Sequence, residues 1–172
     1  MSTQQFQGPV EMLDVVDLKG NAEGLAGVRR RVEAVTNAAA VTRTLKTSES
    51  GMLFTITATT VDNNIAFTLP TASESAGTYY DFCILANSDD DADVSWSTGA
   101  NGTDIYGGII RGAANSTVLD VDGLSKVILD GSASQAVEGT RLTFLCDGTN
   151  WHLSGYCPVA VGTAVITESA SA

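Results

Sequence analysis

From Arg43 onward the chain is cut into short runs of alternating apolar and polar residues, separated by turn-forming residues at nearly regular intervals. The gaps hold Ser50-Gly51, Asp62-Asn63-Asn64, Pro70, Ala76-Gly77, Asn101-Gly102, Asp122-Gly123, Asp130-Gly131 and Asp147-Gly148. Each is a sequence that bends the backbone sharply, through positive φ at Gly or Asn, fixed φ at Pro, or side-chain bonding at Asp. The short alternating runs between them suit strands of ordinary length better than a helical bundle. The runs predict strands over 43–47, 52–57, 64–69, 79–86, 93–97, 108–111, 116–121, 126–129, 140–146, 150–155 and 163–167. Many short strands at this spacing point to an all-β protein, a β-sandwich or jelly-roll-like body of short antiparallel strands. Abundant Thr, Val and Ser and few Lys agree with that class.

Alternation selects a core. Side chains in a strand point to opposite faces in turn, so Phe54 and Ile56 share one face, as do Ile65, Phe67 and Leu69. Phe82, Ile84, Leu142, Phe144 and Trp151 extend the set, and Trp151, Phe54, Phe67, Phe82 and Phe144 are the expected core anchors. The clearest local signal is Leu145 to Gly155, where Asp147-Gly148-Thr149-Asn150 separates two apolar-rich runs and predicts a β-hairpin. Trp151 opens the return strand of that hairpin, where a large ring packs across its neighbour.

Charge is divided unevenly. The chain carries a net charge of −11, yet residues 1–46 hold six basic against five acidic side chains, and the remainder three against fifteen. Phosphate recognition depends on Lys and Arg, so the acidic body argues against nucleic acid as a partner. No apolar run approaches a membrane span or a secretory leader after Met1, which predicts a soluble protein made in a cytoplasm, with no membrane partner.

Residues 1–42 read as an N-terminal arm, 43–157 as the sandwich body, and 158–172 as a C-terminal strand and tail. In the arm, Val10 to Leu18 is apolar but too short for periodicity to decide between strand and helix. Val28, Val32 and Val35 recur at helical spacing, so the arm has room for a short helix. Arg29-Arg30-Arg31 reads either as a solvated charged face or as a clamp for carboxylates on a partner protein, since guanidinium binds them bidentately. Leu13, Val16, Val28, Val32 and Arg29 to Arg31 are accordingly the expected docking residues.

Chemistry is sparsely signalled. Asp89-Asp90-Asp91-Ala92-Asp93 lacks the spacing of a calcium loop and reads foremost as a solvated acidic tip. Cys83, Cys146 and Cys157 are odd in number and lie in apolar runs, which favours buried thiols over a Cys146 to Cys157 disulfide. His152 with Cys146 and Cys157 does not have zinc-site spacing. There is one His and no Gly-x-Ser-x-Gly elbow, so the expectation is a non-enzyme that needs no cofactor and no metal. Tyr79, Tyr80, Trp96, Tyr106, Trp151 and Tyr156 could stack on sugar rings if exposed, although most fall in strands where burial is the simpler reading.

Five stretches in order carry a resemblance. They are Ser50-Gly51 with Phe54-Thr55-Ile56; Asn64 to Pro70; Ala76-Gly77 with Tyr79 and Phe82 to Leu85; Asp104-Ile105-Tyr106-Gly107-Gly108; and Asp147 to Trp151. Together, residues 43–157 resemble a β module of tailed-bacteriophage virion proteins, found in head decoration (cement) proteins, head fibres and tail fibres. The resemblance implies a structural virion protein, a homotrimer with a β-sandwich or jelly-roll-like body. The function expected from it is capsid decoration, with the major capsid protein as partner and the capsid exterior as location. A fibre module that binds host receptor or glycan is the alternative. His152 departs from the pattern, which has an aromatic residue after the Trp, and residues 1–42 lie outside it.

Overall fold

The computed structural model describes residues 30–87, 91–99, 104–111, 118–131, 136–158 and 167–169. Among the described residues twelve strands are formed: β1 (Val32–Thr36), β2 (Val41–Thr44), β3 (Leu53–Thr57), β4 (Ile65–Thr68), β5 (Tyr79–Ala86) and β6 (Val94–Ser97), then β7 (Ile105–Arg111), β8 (Val118–Leu124), β9 (Lys126–Leu129), β10 (Arg141–Cys146), β11 (Trp151–Cys157) and β12 (Thr167–Ser169). Two 3-10 turns, Thr47–Glu49 and Ala72–Glu74, are the helical elements among the described residues. A seven-stranded sheet A runs β1-β3-β5-β10-β11-β7-β8, and a five-stranded sheet B runs β12-β9-β6-β4-β2.

The two sheets face each other across an aromatic slab, so the fold is the all-β sandwich that the strand spacing predicts. Phe54 and Phe82 of sheet A meet Phe67 of sheet B edge-on, at ring-centroid distances of 5.8 and 5.0 Å. Trp96 of sheet B lies 5.2 Å from Phe82 and 5.7 Å from Phe144. All ten core positions expected from alternation are buried, among them the five anchors Trp151, Phe54, Phe67, Phe82 and Phe144. Edge-to-face and offset ring contacts suit the aromatic quadrupole and add to the burial itself.

Strand direction differs from the expectation of an antiparallel body. In sheet A, β1, β3 and β5 are mutually parallel, and in sheet B so are β2, β4 and β6. The chain winds as a flattened coil, laying one strand in sheet A, turning a corner, laying the next in sheet B and returning. A parallel pair needs a long crossover. Here the strand in the opposite sheet is that crossover, so successive strands joined by short turns look in sequence like hairpins and are not. Stacking in register follows: Phe54 lies beside Phe82 at 5.2 Å and 20°, and Phe67 beside Trp96 at 6.0 Å and 11°. After β6 the pattern becomes mostly antiparallel, with β10 entering between β5 and β11.

Asparagines tie the corners of the coil together. Buried Asn37, after β1, donates through Nδ2 to the carbonyls of Thr60 and Asn63, both at 2.8 Å, and accepts from the Thr60 amide at 3.1 Å. Asn64 one corner later accepts from the Asp93 amide at 2.8 Å. Backbone groups at the turns thereby gain partners that a sheet ladder does not supply.

The domain boundaries differ too. Residues 31–172 form one compact unit and residues 1–30 another. The arm expected over 1–42 therefore ends by residue 30: Val32–Thr36, where valine spacing suggests a helix, is β1 of sheet A, and Val41–Thr44 is β2 of sheet B. β-branched residues dominate Val32, Val35 and Thr36, and pairing with β3 decides their state. At the other end, Thr167–Ser169 pairs with β9, while 163–166 of the expected last strand lie outside the described residues.

Candidate functional site

The inner and outer faces of sheet A are both rich in apolar side chains, and only the inner one is covered by sheet B. Of the seven large hydrophobic side chains exposed among the described residues, six stand on sheet A's outer side: Val32, Tyr79, Leu85, Ile110, Leu145 and Tyr156. The seventh, Val61, is in a turn. Register puts them in rows: Tyr79, Leu145, His152 and Tyr106 side by side, and Cys83, Arg141, Tyr156 and Ile110 four residues along. Between these rows, Thr143 donates a hydrogen bond to the carboxylate of Asp81. The outward positions of sheet B are mostly small or polar by contrast, with Thr42, Thr44, Thr68 and Ser97 among them and the half-buried Ile128 of β9 as a large apolar one. Contiguous exposed apolar surface on a protein in water marks contact sites.

The hairpin forms as expected and divides its residues between the two faces. β10 and β11 pair with Cys146 opposite Trp151. Gly148 takes φ of +96°, which its lack of a Cβ permits. Asp147 accepts the amides of Thr149 and Asn150 through Oδ1, both at 2.7 Å, and meets His152 Nε2 through Oδ2 at 2.8 Å. The Asn150 amide foremost, then His152 and the Thr149 amide, lower the Asp147 carboxyl from 3.8 to about 2. Trp151 points inward, stacked on Tyr80 at 5.7 Å, and donates from Nε1 to the Pro70 carbonyl at 3.1 Å. His152 points outward and is exposed.

Cys146 and Cys157 are buried and Cys83 is half-buried, and none of the three is in a disulfide. Cys146 pairs with Trp151 at one end of the hairpin and Cys157 lies beyond the Arg141–Tyr156 pair at the other. Six residues of strand, roughly 20 Å, separate them, far beyond disulfide reach. Cys157 instead receives the Thr140 hydroxyl at 3.3 Å, and Cys146 lies 3.4 Å from the Ala72 carbonyl, with burial pushing its thiol pKa up. His152 lies on the face opposite both thiols, so these three residues do not converge on a metal.

A second charged group closes the open edge of the slab. Arg43 of β2 binds Glu33 of β1 bidentately at 3.1 and 3.0 Å and also Glu49, and its guanidinium lies 6.0 Å from the Phe54 ring centroid. These partners, Glu33 first, raise the Arg43 pKa. Tyr80 beside it donates to the Lys46 carbonyl at 2.8 Å, and burial raises its phenol pKa. An ion pair that joins the edge strands of the two sheets is a structural clasp.

The other expected site residues are scattered along the chain. Leu13, Val16, Val28 and Arg29 lie outside the described residues, as do Asp89 and Asp90. Arg30, Arg31 and Val32 are exposed, and Val32 begins the edge strand of sheet A. Asp93 accepts the Gly131 amide at 3.1 Å, which gives one carboxylate of the acidic stretch a structural use. Of the aromatics considered for sugar stacking, Tyr80, Trp96 and Trp151 are fully buried, Tyr106 is half-buried, and Tyr79 and Tyr156 are exposed. Among the described residues no helix is long and apolar enough to cross a membrane. The sequence matches no protein-family model and no curated protein.

Charged and aromatic clusters in the sequence do not reveal the outer-face rows, but alternation carries the signal. Tyr79, Leu85, Leu145 and Tyr156 alternate with core residues in strands whose other outward positions include Thr143 and Ser154.

Proposed function

We propose that the protein is a structural component of a tailed-phage virion, a decoration protein that assembles as a homotrimer on the outside of the capsid and stabilises it. The observation that carries this reading is the division of the chain at residue 30. A compact β-sandwich follows a separate N-terminal unit. By sequence count, residues 1–30 hold three basic against four acidic side chains and residues 31–172 hold six against sixteen. A nearly neutral segment, ending in Arg29 and Arg30 next to Arg31 and Val32, suits docking on capsid carboxylates and apolar clefts. The acidic sandwich faces solvent.

The test is co-sedimentation with expanded, empty capsids. Full-length protein is expected to bind and to raise capsid resistance to heat. A chain starting at residue 31 keeps both sheets and should fold but not bind; a truncation at 42 would remove β1 and part of β2 and test nothing but folding. Normal decoration by the residue-31 truncation would overturn the docking role of the first thirty residues. A fibre module that binds glycan through Tyr79 and Tyr156 predicts instead that Tyr156→Ala abolishes saturable binding to host polysaccharide.

A further inference from the structure

We propose that the outer face of sheet A is the surface through which copies of this chain associate, so that its apolar rows become a second covered layer. The inference rests on the self-assembly part of the reading above and not on capsid binding.

Three observations converge on it. First, six of the seven exposed large hydrophobic side chains among the described residues lie on this face. The six side chains are spread over adjacent strands from β1 to β7, five strand spacings or on the order of 24 Å. Exposed apolar patches on this scale are often contact surfaces.

Second, charge selects the partner. The whole chain carries −11, so two copies repel each other over most of their surfaces. Across β1, β3, β5, β10 and β11, the outward positions carry one carboxylate, Asp81, and one guanidinium, Arg141, together with His152. Over these five strands the face is locally neutral, with the exposed Asp122 on edge strand β8, and it is where like-charged copies approach at least electrostatic cost. A basic partner protein would be drawn to the acidic remainder of the body instead.

Third, the two charges suit self-pairing. Asp81 lies opposite Thr143 and Arg141 opposite Cys83, so the two are diagonal neighbours across β5 and β10. Where copies meet through this face, Arg141 of one can be set against Asp81 of another. Complementary charge of that kind fixes register between identical surfaces.

The test is the mass of the full-length chain by sedimentation equilibrium over a range of concentrations. Wild type is expected at a multiple of 17.8 kDa, the mass of one chain. Leu145→Glu and Tyr156→Glu should shift the equilibrium to single chains with an unaltered near-ultraviolet circular dichroism spectrum. Thr42→Glu, at an exposed position on sheet B's outer side, should keep the wild-type mass. If Leu145→Glu loses its native spectrum, Ser154→Glu at an exposed position of the same face takes its place and is expected to give single chains. Wild type sedimenting as single chains throughout, or face variants that keep the wild-type mass, would overturn the proposal. Capsid binding is scored separately. Its absence from wild-type assemblies that dissociate on Leu145→Glu defeats the decoration reading alone. Capsid binding with a mass unmoved by the face variants defeats this inference alone.

Discussion

Both faces of sheet A carry large apolar side chains, nearly unbroken on the inner face and interspersed with polar ones on the outer, and the faces differ in what stands opposite them. Inward, Phe54, Phe82, Phe144 and Trp151 are each 2% exposed or less and touch rings from neighbouring strands or from sheet B. Outward, Leu85, Leu145 and Tyr156 are 50%, 46% and 44% exposed, with Thr and Ser between them. The difference lies in closure: the inner face is filled to the density of a protein interior, so its residues stabilise the fold, whereas the outer face contributes through partners.

Substitutions can separate the two roles, beginning with the largest effect. Phe82 touches Phe54, Phe67, Trp96 and Phe144 at centroid distances between 5.0 and 5.8 Å. Phe82→Ala is expected to cost about 3–5 kcal/mol in chemical denaturation. Leu145→Ala should cost less than about 1 kcal/mol in the single chain, because a half-exposed side chain loses little burial. Equal costs would mean that the outer face is also filled within one chain. Overfilling gives the same contrast. A Cβ at Gly155 would stand 2.4 Å from the Arg141 carbonyl oxygen and 2.6 Å from Leu142 Cδ2. Gly155→Ala should therefore destabilise by about 1–3 kcal/mol, while its outward neighbour Ser154→Ala should be nearly neutral.

Arg43 occupies the boundary between the two faces, where the slab would otherwise open to water beside Phe54. Arg43→Ala leaves Glu33 and Glu49 without their shared cation and should cost about 1–3 kcal/mol. Arg43→Lys should recover only part of this, because a single ammonium does not reproduce the fork that meets Glu33 through both nitrogens. Full recovery by Lys in thermal melts would show that charge matters here and geometry does not.

Much of the inner face is legible in the sequence, because period-two alternation and turn residues act locally. β5 and β9 fall at 79–86 and 126–129, as the runs predict, and every expected core position is buried. The coil is not legible. Its turns advance by 21 and 28 residues between paired positions in sheet A and by 24 and 29 in sheet B, so no fixed repeat marks it. Nothing in a short strand states whether its neighbour runs parallel or antiparallel. β1 is hidden for a different reason: Val32 and Val35 satisfy helical spacing, and only pairing with Leu53–Thr57 overrides it. Of the expected docking set, Arg31 and Val32 are exposed at the start of β1, but exposure of a single edge does not identify what covers it.

The smallest expected effect concerns the hairpin tip, where Asp147 organises the turn while exposed to solvent. Its carboxyl is held at about 2 against an ordinary 3.8, chiefly by the Asn150 amide, then by His152 and the Thr149 amide. A carboxyl whose folded pKa is depressed stabilises the fold fully above its unfolded value, and that contribution disappears as pH falls through the folded one. The tip should accordingly be intact above about pH 4 and loosen between there and about pH 2. The ring contacts of the slab involve no carboxylate and do not take part in this loosening of the tip. Carboxyl chemical shifts followed by NMR should show Asp147 titrating near the lower value. In His152→Ala the midpoint should rise only part of the way to 3.8, because the two backbone donors remain. A midpoint that returns completely to the ordinary value would show that the outward-facing His152, and not the turn's own amides, holds the tip together.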